Sequence, residues 1–200
     1  MFDKTYSIWM ANLLRESIGM QDFSRIVHIC HYVLETQQVE GDIVEFGCYV
    51  GNTARLMTGI SKKQVHVYDS FDGLPSTFEN YTGEMRVPYD ALIATFKRDN
   101  IRLPTINQGW FSDIKPEQVP DKISFAHLDG DLYDSTMQPL NLIYDKMSRG
   151  GIILIDDYGA EKWYGVEKAV TEFFKDKPET VVALQGIQGA PSYKAMVQKI

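Results

Sequence analysis

The chain has 200 residues, 44% of them hydrophobic and 24% charged, and a formal net charge of −7. That length suits one domain built on a single core, and the acidic balance excludes the basic footprint of a nucleic-acid or anionic-membrane binder. No run of about 18 apolar residues occurs, so no membrane-spanning helix is expected. The N-terminus lacks the basic start and long apolar centre of a signal peptide. Cys30 and Cys48 have neither metal-ligand spacing nor a disulfide framework, and both read as reduced thiols of a cytoplasmic protein.

In chain order, residues 1–40 read as a helical arm or lid, ahead of a core over 41–200. Ile8, Leu13, Leu14 and Ile18 give one rough 3.6-residue stripe. Phe23, Ile26, Val27, Cys30, Val33 and Leu34 give a second, begun after Asp22 as a candidate N-cap. From Gly41 short apolar runs alternate with helix-length segments. Strands are expected at 42–47, 64–69, 105–111, 123–129 and 151–157, with helices at 52–60, 89–100, 135–147 and 161–174. This alternation signals a parallel α/β sheet with helices on both faces. The tail, TVVALQG and then SYKAMVQKI, reads as two more strands, an antiparallel hairpin closing the sheet. No repeat or low-complexity segment occurs.

The stretch GDIVEFGCYVGNTARLM is a strand, a glycine turn and a helix start. Gly47 and Gly51 permit a sharp turn and close approach of a ligand, and Asn52 and Thr53 open a helix whose free N–H groups attract an anion. Asp69 ends the next strand, where a carboxylate typically takes ribose hydroxyls. A dinucleotide would need a middle glycine where Tyr49 stands. E-x-G-x-x-x-G fits S-adenosylmethionine better, with Glu45 facing its ammonium, the helix start its carboxylate and Asp69 its ribose.

Asp129 ends the fourth predicted strand, and Asp156 and Asp157 end the fifth. If those strands are neighbours, the three carboxylates converge, and they repel one another unless protons or a cation intervene. An all-oxygen set suits a hard divalent ion, magnesium first, with manganese or calcium as alternatives. Asp131, in the loop beyond Asp129, is either a base for a bound hydroxyl or a turn carboxylate. Asp134 reads as a helix cap, Pro139 as a first-turn proline, and His127 as a buried, hydrogen-bonded histidine. Neither a G-x-S-x-G elbow nor a phosphate-binding G-x-x-x-x-G-K-[ST] loop is present. The polar and aromatic segment 76–90 is either a lid over an acceptor or a surface loop.

GDIVEFGCYVGNT, YDSFDGLP, NQGWFSDIKP, AHLDGDLYDST and GGIILIDDYG together resemble the macrocin O-methyltransferase family, from about residue 22 to the helix near 174. The resemblance implies a class I, Rossmann-like methyltransferase fold, with a mostly parallel seven-stranded sheet, and methylation of sugar hydroxyls. It implies metal ligands at Asp129, Asp156 and Asp157 and a general base at Asp131. It implies cofactor contacts at Glu45, Gly47, Thr53, Asp69 and Ser70, with Gly109, Trp110 and Phe111 near the adenine. It also implies a small-molecule acceptor and at least a homodimer. The family's usual tryptophan, arginine and paired glycines after the first motif are replaced here by Tyr49, Val50, Gly51 and Asn52. The usual F-x-D-T-L-P block reads Phe111, Ser112, Asp113, Ile114, Lys115, Pro116. Two other readings remain: a catechol-type methyltransferase with the same metal site, and a non-catalytic cofactor-binding module.

Overall fold

The computed structural model describes residues 23–76, 81–186 and 191–200; the first predicted helix and Asp22 lie outside them. Seven strands form one sheet: β1 (Asp42–Phe46), β2 (Val65–Asp69), β3 (Thr105–Gln108), β4 (Ile123–Leu128), β5 (Met147–Asp156), β6 (Val182–Gln185) and β7 (Pro191–Gln198). Their order is β3-β2-β1-β4-β5-β7-β6. The first five are parallel, and β7 runs antiparallel to both β5 and β6. The chain is a class I methyltransferase fold of the Rossmann-like type.

Burial follows position in the sheet. All six residues of β4 are buried, as are the last four of β1, so these central strands read as unbroken apolar runs. Edge strands β3 and β6 carry exposed residues. Helices α1 (Phe23–Glu35), α2 (Asn52–Ile60) and α3 (Tyr89–Arg98) bury Ile26, Ile29, Leu56, Met57, Leu92 and Phe96 against Ile43, Val67, Phe125 and Leu154 on one face. Helices α4 (Tyr133–Ile143) and α5 (Gly165–Phe174) bury Leu140, Ile143, Val166 and Val170 against Val44, Ala126, Ile153 and Ile155 on the other. The strict two-residue alternation of a strand therefore puts Glu45, His127 and Asp156 on the α1–α3 face. No described helix is long and apolar enough to cross a membrane.

Several boundaries differ from the sequence expectation. β3 stops at Gln108, because Gly109 has φ +153° and a 3₁₀ turn follows at Phe111–Asp113. β5 starts at Met147, where Met147 pairs with Ile123 of β4, and Gly150 donates to the Lys199 carbonyl just beyond β7. α4 starts two residues earlier than expected, with Leu132 rather than Asp134 at its N-cap. Asp134 lies inside the first turn, where a carboxylate still favours the positive end of the helix. Pro139 consequently falls in the helix interior, where it removes the donor that Ser135 would otherwise bond.

The order of strands sets where a ligand can bind. From β1 the chain winds outward through β2 to β3, then crosses back to β4 on the other flank of β1. Such a reversal leaves a crevice at the carboxyl ends of the two central strands. There the Asp129 N–H donates to the Phe46 carbonyl at 2.8 Å, and the Gly47 N–H to the Tyr68 carbonyl at 2.9 Å. Gly47 has φ +85°, and a Cβ on it would collide with the Asp129 carbonyl oxygen, so only glycine fits this corner.

Candidate active site

A cavity of about 490 Å³ opens at this crevice, within the range of small-molecule sites. One wall carries Gly47, Cys48, Tyr49, Thr53, Asp69 and Ser70; Gly109, Trp110 and Phe111 border it. Asp129, Asp131 and Asp157 line the opposite part, with Trp163 and Arg25 nearby. Among the described residues, Tyr49, Met85, Asp131 and Asp157 line the cavity with positive φ despite having side chains. Such strained backbone clusters at functional sites.

Asp69 fastens the glycine turn. Its Oδ2 accepts the N–H groups of Cys48 at 2.9 Å and Tyr49 at 3.0 Å, and its Oδ1 accepts that of Phe71 at 2.8 Å. A carboxylate has about four acceptor sites, so one remains for a ligand hydroxyl. Ser70 turns inward at the strand end, its Oγ accepting the Asp72 N–H at 3.1 Å. Phe111 packs its ring edge-on to Phe46, the ring centroids 5.4 Å apart, and Trp110 stays 38% exposed beside it.

Glu45 lies elsewhere. It is fully buried and absent from the cavity wall, bonded through Oε1 to the Thr53 hydroxyl and, at 2.9 Å, to His127 Nδ1. Burial, before repulsion from Asp129 and Asp69, pushes its carboxyl up to about 8. His127 is buried and hydrogen-bonded; burial first, then the charges of Lys194 and Arg25, holds it well below the usual imidazole range. A neutral ring donating from Nδ1 to Glu45 and accepting at Nε2 from Lys194 Nζ, 3.2 Å away, satisfies both contacts.

The aspartates separate into two sets. Oxygens of Asp129, Asp131 and Asp157 lie within 4.8 Å of one another at the cavity. Asp129 also shares a second set with His127 and Asp156, within the same span. Asp156 points to the α1–α3 face as the strand alternation dictates, and its Oδ2 accepts from Lys194 Nζ at 2.6 Å. Its Oδ1 is paired with Arg25 and accepts the Asp157 N–H at 3.1 Å. Asp156 and Lys194 are register partners across β5 and β7, so the hairpin delivers the lysine directly beneath the carboxylate.

Sequence reasoning missed Lys194 and Arg25. Lys194 carried a signal in retrospect, as a lysine flanked by apolar residues at an inward position of SYKAMVQ; Arg25 sits on a polar-looking helix start and carried none. Within segment 76–90, residues 77–80 lie outside the described residues, while Met85 reaches the cavity wall and Tyr81 packs against Trp163. Lys162 lies over both rings, 4.4 Å from the Tyr81 centroid and 4.3 Å from that of Trp163.

Mutual repulsion and burial leave the acidic cluster hard to ionise. Burial first, then Asp157, pushes Asp129 up to about 6; burial first, then Asp129 and Asp157, pushes Asp131 up to about 9. Folded values above the unfolded ones mean that these groups and Glu45 favour the fold at low pH. That stability is lost as pH rises through the folded values. His127, kept neutral, opposes them below about pH 6.5, and Lys194, lowered to about 7 by burial first, opposes them only above that value. With chelator present, the melting temperature is therefore expected to fall between about pH 5 and pH 7. Scanning calorimetry across that window checks it, and a flat or rising profile would contradict the buried acids.

Comparison with known proteins places this geometry. Residues 14–190 match the family model described as Macrocin-O-methyltransferase (TylF). A demethyldecarbamoylnovobiocin O-methyltransferase from Streptomyces niveus is 32% identical over 174 residues, 75% of this chain and 64% of that protein. A rhamnosyl-tetracenomycin C 4'-O-methyltransferase from Streptomyces olivaceus is 29% identical over 168 residues, 72% of this chain and 62% of that protein. The chain thus spans less than two thirds of the length of these curated relatives. Among solved structures, the O-methyltransferase NovP superposes with a TM-score of 0.77 at 25% identity, over 88% of this chain and 80% of its own. A calicheamicin methyltransferase shares the fold with a TM-score of 0.68 at 18% identity, over 99% of this chain and 94% of its own. With the family model covering most of its length, the chain belongs to the macrocin O-methyltransferase family.

Proposed function

We propose that the chain is an S-adenosylmethionine-dependent O-methyltransferase that acts, with magnesium, on a hydroxyl of a sugar or glycosylated small molecule. The observation that carries the reading is the shared cavity: the Asp69-fastened glycine turn forms one part of its wall, and Asp129, Asp131 and Asp157 form another. Family membership supports O-methylation. Two relatives are named as the rhamnosyl-tetracenomycin 4'-O-methyltransferase and the mycinamicin III 3''-O-methyltransferase, which supports a glycosylated acceptor.

The acidic cluster fits a hard cation. Its groups are all oxygens, its carboxyls are raised by burial first and then by repulsion that positive charge would relieve, and Arg25 already draws a cationic nitrogen to the oxygens of Asp156 and Asp157. Asp129 and Asp157 would hold the ion, joined by Asp156 through the Oδ1 that shares Arg25 with Asp157; Asp131, within 4.8 Å of Asp129 and Asp157, is left for the acceptor. When bound, magnesium supplies charge that lowers the pKa of a nearby hydroxyl and keeps carboxylates ionised. When bound, S-adenosylmethionine supplies a methyl group on a sulfonium leaving group.

The chain's own residues then divide the work. Asp69 and the first N–H groups of α2 would hold the donor's ribose and carboxylate. Ser70, Gly109, Trp110 and Phe111 would enclose its base, while Glu45 steadies Thr53. This positioning aligns the acceptor oxygen with the methyl carbon, a factor worth up to about 7–11 kcal/mol in well-oriented cases. Asp131, through its carboxylate, would take the proton that the acceptor hydroxyl loses on methylation.

The test is incubation of the purified chain with isotopically labelled S-adenosylmethionine and matched panels of glycosides and catechols, read by mass spectrometry. Label on a sugar hydroxyl is the expected result. Label confined to catechols would move the acceptor to phenols, and transfer to neither panel, with the cofactor bound, would favour a binding module.

A further inference from the structure

Arg25 stands in the first turn of α1, the third residue of a helix that packs on the same sheet face as Asp156. Its Nη2 nitrogen pairs with Asp156 Oδ1 and, at 2.9 Å, with Asp157 Oδ1. A single cationic nitrogen thus bridges two adjacent carboxylates, as a divalent ion between them would. We propose that Arg25 is a built-in competitor for the cation of this site, so that metal loading displaces it and releases the first turn of α1 from the cavity wall. This rests on the magnesium reading above.

The competition follows from space and charge. A magnesium ion needs its oxygens at about 2.0–2.1 Å, which leaves no room for a guanidinium nitrogen on the same two oxygens. Two cations at that separation also repel one another. The two basic residues around Asp156 differ in their freedom to leave. Lys194 holds the other oxygen, Oδ2, at 2.6 Å, and its side chain is fully enclosed. The Arg25 side chain is 18% exposed and borders the cavity, so it alone of these two can swing aside. Lys194 can stay on Oδ2 while Oδ1 passes from arginine to metal.

Displacement has a structural reach. Ile26, the next residue, is buried in the core yet also borders the cavity. Loss of the Arg25 bridge therefore loosens the beginning of α1, while Ile29 and Val33 keep the rest of the helix docked. Cation binding and the shape of the cavity on the α1 side become linked equilibria.

Calorimetric titration of the full chain with magnesium chloride, for wild type and Arg25→Met, tests the competition, with thermal melting to confirm that the variant is folded. The variant is expected to bind magnesium at least about tenfold more tightly, the coupling of one close charge pair. Hydrogen exchange of the peptide 23–30 in wild type supplies a second measurement, expected to quicken when magnesium is added. Unchanged or weaker binding by a folded variant overturns the competition and leaves the metal reading standing. Unchanged exchange in wild type at saturating magnesium overturns it even where the variant does not fold. Absence of magnesium binding in both proteins overturns the metal reading and this inference together.

Discussion

Asp131→Asn is expected to lower turnover by about 10²–10⁴ while S-adenosylmethionine binding stays close to wild type. The substitution keeps the shape of the side chain and removes only its capacity to take a proton. It also suits the backbone, since Asp131 has φ +63° and asparagine is among the side chains that best tolerate the left-handed region. Folding should therefore survive, since the left-handed backbone keeps a residue suited to it. The wall proposed for the donor is built from Gly47, Asp69 and the start of α2, and the substitution changes none of these residues. The informative pattern is a fall in kcat with little change in cofactor affinity by calorimetry. Wild-type turnover in the asparagine variant would remove Asp131 from the chemistry and leave it a loop carboxylate.

Removal of divalent metal by EDTA is expected to abolish activity, with magnesium restoring it and manganese doing so in its place. Charge stabilisation and hydroxyl activation by a bound ion amount to several kcal/mol, hence a loss of about a thousandfold or more. The protein's own cations do not replace it. Lys194 is committed to Asp156 Oδ2 from the neighbouring strand, and Arg25 is engaged by Asp156 and Asp157. Asp131, pushed up to about 9 chiefly by burial and then by its acidic neighbours, would stay protonated at neutral pH even with the opposing charge of Lys162, unless a bound cation adds to it. Two failures thus share one cause, since a chelated enzyme lacks both the activated hydroxyl and the ionised base. Full activity in chelated, metal-free protein would refute the magnesium role and leave the donor site intact.

The glycine-turn side of the cavity, proposed for the donor, was legible in the chain because its determinants are local. Gly47 and Gly51 are needed where the backbone must turn, Asn52 and Thr53 open the helix that follows, and Asp69 closes the adjacent strand, all within one β-α-β unit. Asp69 proved to do more than the motif implies, since a carboxylate placed at the end of β2 also captures the N–H groups of the turn after β1. The acceptor side was legible only as a set of acids. Asp129 and Asp157 were visible at strand ends and Asp131 in the loop beyond the first of them, but their meeting depends on β4 lying beside β5, a pairing between residues 24 to 27 apart.

The amino-acid order alone was enough for the alternation of strands and helices, the antiparallel closing hairpin and the family, because periodicity and turn chemistry act over a few neighbouring residues. The directions and partners of single side chains came from the packed sheet. Asp156 and Asp157 are adjacent in the chain, yet strand alternation sends Asp156 down to Lys194 and His127, and the left-handed backbone at Asp157 leaves that carboxylate at the cavity. Glu45, on that same sheet face, is buried against Thr53 and His127. Arg25 and Lys194, which balance the acids, arrive from opposite ends of the described chain. Charge partners so distant in sequence leave no local pattern, and only the closing of the fold brings them within hydrogen-bond reach.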